Sequence, residues 1–96
     1  MAFPDDIVAR LESQFSDRER ACSILEGLGP LRERDRVARC ILALSESDYD
    51  SLAAWVTKAN IDYRDLIWYA EYDNREVRKY DFARRFDEQI PYSYPP

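Results

Sequence analysis

The chain has 96 residues, 46 % hydrophobic and 34 % charged, with a net charge of −5. That length holds one hydrophobic core, and the acidity argues against general nucleic-acid binding. There is no histidine, which removes the commonest general base and zinc ligand and excludes a serine–histidine or cysteine–histidine nucleophile within the chain.

Apolar residues recur at helical spacing from the start. A first helix opens near Pro4, with Asp5 and Asp6 favourable at its positive end and a stripe of Ile7, Val8, Leu11 and Phe15. Ser16 and Glu19 read as a capping box for a second helix, whose stripe is Ala21, Ile24, Leu25 and Leu28. Gly27-Leu28-Gly29-Pro30 stops it. A third helix follows Pro30 with Val37, Cys40, Ile41 and Leu44 inward, and Ser45-Glu46-Ser47 breaks it.

The fourth helix is expected to be capped by Ser47 and to bury Tyr49, Leu52, Trp55, Val56 and Ala59, with Asn60 ending it. Asp62 caps a fifth, with Tyr63, Leu66, Ile67 and Ala70 inward. The two open alike, Asp48-Tyr49-x-x-Leu52 against Asp62-Tyr63-x-x-Leu66. Two capped amphipathic helices explain the likeness without a duplication, and tyrosines on apolar stripes read as core rather than as phosphorylation motifs. Beyond Tyr72 and the Asp73-Asn74 turn signal, the preferred reading is an extended or one-turn segment that folds back. The alternative is a hairpin of residues 66–72 and 77–82. The proline-rich residues 91–96 form a tail. The prediction is therefore all-α: one domain over residues 1–90, a compact bundle of about five short helices, then the tail.

Cys22 and Cys40 lie on or beside apolar stripes and read as buried free thiols, in keeping with a cytoplasmic protein. Asp5 and Asp6 interrupt the N-terminal region and no apolar run follows, so neither a signal peptide nor a membrane span is expected. Glu46, Asp48 and Asp50 alternate as in a calcium loop. The sixth position, however, is Ser51 and the twelfth Thr57, where glycine and glutamate are needed, so they read as a capping cluster. The only glycines are Gly27 and Gly29, so no phosphate loop exists. No cofactor, metal or catalytic activity is expected.

Eleven of the thirteen aromatic residues lie between Tyr49 and Tyr94. Residues 46–73 hold seven acids against Lys58 and Arg64. Two constellations follow. On the fifth helix, Arg64, Trp68 and Tyr72 form an i, i+4, i+8 column opposite the inner face. Leaving both rings wet forfeits about 4–6 kcal/mol each. Something should cover them: the chain's own Tyr80, Phe82, Phe86, Tyr92 and Tyr94, a protein partner, or a second copy. On the third helix, Arg32, Arg36 and Arg39 fall within about 60° of one another opposite the apolar stripe. With a short glycine-containing turn before them they suggest a helix-turn-helix alternative that contacts DNA phosphates. The blander reading is a solvated face, with Asp35 paired to Arg39. A third reading docks one copy's Arg stripe on another's acidic aromatic block in a two-fold dimer. The favoured function is a small non-catalytic protein-interaction or assembly module.

Overall fold

A computed structural model of the chain describes residues 3–72 and 78–88. Four helices follow one another: α1 (Asp5–Gln14), α2 (Arg18–Leu25), α3 (Arg34–Ser45) and α4 (Tyr49–Glu71), with a 3-10 turn at Phe86–Glu88. The described residues contain no strand, only one antiparallel bridge between Tyr72 and Arg78. The all-α expectation holds, and so does the C-terminal segment that folds back. The hairpin alternative does not, because the helix runs to Glu71. The tail at 91–96, with Tyr92 and Tyr94, lies outside the described residues.

The expected fourth and fifth helices are the two halves of α4. Asp62 leaves helical geometry (φ −152°, ψ 90°), and its carboxylate accepts the Asp65 amide at 3.4 Å, as the cap of the second half. The break folds the halves towards each other. Trp55 and Tyr69 sit with ring centroids 5.9 Å apart, where a straight helix would separate residues fourteen apart by about 21 Å.

The apolar stripes meet in one core. Ile7 and Leu11 of α1, Leu25 of α2, Ile41 of α3, and Leu52 and Leu66 of α4 are all fully buried. Full burial of each contributes roughly 1.5–3 kcal/mol. Cys40 joins them, whereas Cys22 is only half-buried and donates to Glu26; both are free thiols. Burial pushes both thiols up from their ordinary value.

Several caps differ from expectation. Asp17, not Ser16, caps α2 by accepting the Arg20 amide at 3.1 Å, and Ser16 instead faces the Tyr49 hydroxyl. Asp48, not Ser47, caps α4 through the Asp50 amide. In both places the Asp stands one residue nearer the first turn, and its carboxylate takes the free amide. Asn60 does not end a helix. Its carbonyl accepts the Gly29 amide at 2.8 Å and its amide donates to the Gly27 carbonyl at 3.0 Å. Arg34 donates to the Leu28 and Gly29 carbonyls of the same turn. The α2–α3 turn thus has its backbone polar groups met by two side chains from elsewhere. α3 is flanked by left-handed glutamates, Glu33 and Glu46, each at φ 54°, a region that side chains other than glycine seldom adopt.

Candidate functional site

The second half of α4 carries the predicted aromatic column. Leu66 and Ile67 are buried and Tyr63 packs against the core, so the inward face is as expected. On the outer side Trp68 is 45 % exposed and stacks on Tyr72 with centroids 6.4 Å apart and planes at 16°. The Arg78 guanidinium lies 5.9 Å from the Tyr72 ring centroid. Arg64 is exposed. Tyr69 is 60 % exposed, and Ile61 beside the break is 81 % exposed. Tyr49 and Trp55 are half-buried and pack against the core as expected.

Among the described residues, the downstream rings Tyr80, Phe82 and Phe86 pack with one another rather than on Trp68. Phe82 is a core residue, 4 % exposed. Tyr80 stacks on Phe82 at 5.2 Å, and Phe86 meets Phe82 edge-on at 6.0 Å. Arg10 lies over the Phe86 ring at 4.7 Å. These rings border a cavity with Ala43, Leu44 and Ala70, between α1, α3 and α4. Among the described residues, the ring partner of Trp68 is Tyr72, the extended residue that follows its own helix.

Two of the three stripe arginines turn out to hold that C-terminal segment. Arg39 is 5 % exposed and pairs not with Asp35 but with Asp6 of α1. Its Nε–Oδ2 distance is 2.9 Å and its Nη2–Oδ1 distance 3.3 Å. Arg39 Nη1 donates to the Phe82 carbonyl at 3.1 Å, and Asp6 accepts the Phe86 amide at 2.9 Å. Burial works against the Asp6 charge. The Arg39 hydrogen bond, the Phe86 amide and the nearby positive charges of Arg39 and Arg85 overcome it and hold the carboxyl below its ordinary value.

Arg36 makes a two-pronged pair with the fully buried Glu71, Nε to Oε2 at 2.8 Å and Nη2 to Oε1 at 2.6 Å, and also reaches Glu33 at 2.9 Å. The Glu71 bond comes first in raising the Arg36 pKa, so its charge is locked in. Glu71 further accepts from Arg78 and from the Phe82 amide, each at 3.0 Å. The solvated Arg stripe is therefore corrected. Position on a helix wheel placed Arg36 and Arg39 opposite the core of α3, but the returning chain covers that side and supplies or completes their partners.

Arg32 remains exposed. With Glu33 and Arg36 it lines a cleft of about 360 Å³, and across from them stand Tyr63, Arg64 and Ile67 of α4. The structure thus brings one member of the aromatic column, Arg64, beside the remaining free member of the stripe. Sequence reading placed these two in separate constellations.

No cluster of histidine, cysteine, aspartate and glutamate suited to a metal occurs among the described residues, and none of the described helices is long and apolar enough to cross a membrane. No family model, curated protein or solved structure matches the chain.

Proposed function

We propose that the chain is a non-catalytic interaction or assembly module of the cytoplasm, which docks a protein partner on the outer face of α4. Arg64, Trp68 and Tyr72 form the docking surface, with Tyr69 at its margin. One observation carries the reading: a 45 % exposed tryptophan stacked on a tyrosine, while the described downstream rings pack elsewhere. Tryptophan, tyrosine and arginine are the residues over-represented among interface hot spots. The free thiols Cys22 and Cys40 fit a reducing compartment.

Sedimentation of wild type against Trp68→Ala tests whether the partner is a second copy: a dimer that becomes a monomer supports self-association. If wild type is already monomeric, a photo-crosslinker placed at position 69, at the margin of the surface, in the native cell should trap a discrete protein that is lost in the Arg64→Ala variant. A monomer that traps nothing, and in which Trp68→Ala only lowers stability, sinks the proposal. Retention on heparin at low salt that is lost in Arg32→Gln would favour the DNA-associated alternative instead.

A further inference from the structure

Nine of the eleven described arginines have a partner for their side chain, whether a carboxylate, a carbonyl, an amide oxygen or an aromatic ring. The two without one are Arg32 and Arg64, and they line the same cleft. In a chain with 19 acidic residues and 14 basic ones, random placement would pair arginines readily. Placing two unpaired guanidiniums on one cleft is electrostatically unfavourable without an anion to offset them.

The other charges in the cleft are already engaged. Arg36 is held by Glu71 and Glu33, and Glu33 is held by Arg36. That network fixes the wall of the cleft and leaves two positive charges facing it. Tyr63 and Ile67 add an aromatic and an aliphatic surface. We infer that this cleft is an anion site for a phosphate monoester whose organic part rests on Tyr63 and Ile67. A phosphate monoester carries close to two negative charges at neutral pH, which matches two unpaired guanidiniums, whereas a lone carboxylate would leave one unmatched. The guanidinium fork also suits phosphate oxygens geometrically. The site does not depend on Trp68 or Tyr72 having a partner.

Two-dimensional NMR titration of the intact chain with phenyl phosphate tests this. The expected result is a saturable shift of the Tyr63, Ile67 and Arg64 signals. Arg32→Gln and Arg64→Gln should each weaken binding about tenfold, the scale of one charge-assisted contact. Both side chains are unpaired, so both variants should fold, and circular dichroism checks that. Lys79→Gln removes the same charge from an exposed position outside the cleft and should leave the affinity in place. Binding should strengthen from about pH 5 to pH 7 as the second phosphate proton is lost. A phosphopeptide that binds more tightly than phenyl phosphate assigns the source to a phosphorylated protein; the reverse assigns it to a free ester. Absence of a saturable shift, or equal weakening in Lys79→Gln, overturns the inference.

Discussion

Two sets of arginines stand close together and have opposite fates. Arg36 and Arg39 are drawn into Glu71 and Asp6, two carboxylates with almost no solvent exposure, and through them they hold the chain around Phe82 and Phe86. Arg32 and Arg64, at the edge of the same region, have no hydrogen-bond, ion-pair or ring partner among the described residues. A guanidinium becomes part of the fold only where a returning segment seals it from water and supplies acceptors. Otherwise it remains a surface charge available to a ligand. The same contrast runs through the aromatics. Phe82 is sealed against the core, while Trp68 is 45 % exposed and, among the described residues, has Tyr72 as its ring partner.

The sealed set should be sensitive to change and the open set tolerant of it. Arg39→Ala leaves the buried Asp6 with only the more distant Arg85 and the Phe86 amide and should destabilise the chain by about 3 kcal/mol in chemical denaturation. A loss under 1 kcal/mol would mean that Asp6 is wetter than its burial indicates. Phe82→Ala should cost about 3–5 kcal/mol, and Trp68→Ala much less in the isolated protein. Equal losses would erase the distinction between the two rings.

Acid should act on the sealed set as well. The folded-state pKa of Asp6 is depressed below its ordinary value of 3.8. Its stabilisation is therefore present in full above the unfolded-state value and is lost as pH falls through the lower, folded-state value. Denaturation midpoints measured downwards from pH 5 should drop, and the drop should be smaller in Asp6→Asn. A drop of equal size in that variant would assign the acid sensitivity to other carboxylates.

Smaller effects lie in the turns. Glu46 holds φ 54° and ψ −122°, a conformation suited to glycine, so Glu46→Gly should raise stability by about 1 kcal/mol. Asn60→Ala leaves the Gly29 amide and Gly27 carbonyl without their partner and should lower it by about 1 kcal/mol. At the bottom of the scale, Arg32→Gln should move stability by no more than about 0.5 kcal/mol. A larger loss would show that Arg32 belongs with the structural arginines.

Much of the bundle was readable along the chain. Ile7, Leu11, Ala21, Leu25, Val37, Ile41, Leu52 and Leu66 repeat at helical spacing and all are buried. The division at Asp62 was readable too, since an aspartate ahead of a fresh apolar stripe is a local capping signal. Asp48 and Asp17 were visible as helix-start residues but not as the caps themselves, because Ser and Asp stand adjacent in both places and local preference does not separate them. The clasp around Glu71 and Asp6 left no local trace. Asp6 reads as an ordinary first-turn acid and Glu71 as one more charge near a helix end. Their partners lie 33 and 35 residues away in sequence. The cleft was hidden for the same reason, since Arg32 lies in the turn before α3 and Arg64 on α4, and only packing brings them to one cleft.

The sequence by itself determined which segments form helices, the division at Asp62, and that Trp68 falls on the side of α4 away from its core stripe. Those are properties of neighbours three or four positions apart, encoded in periodicity and caps. Only the tertiary structure decided which charges are consumed and which remain. Burial and pairing of an ionic group depend on what another segment brings to it, and no periodicity carries that information.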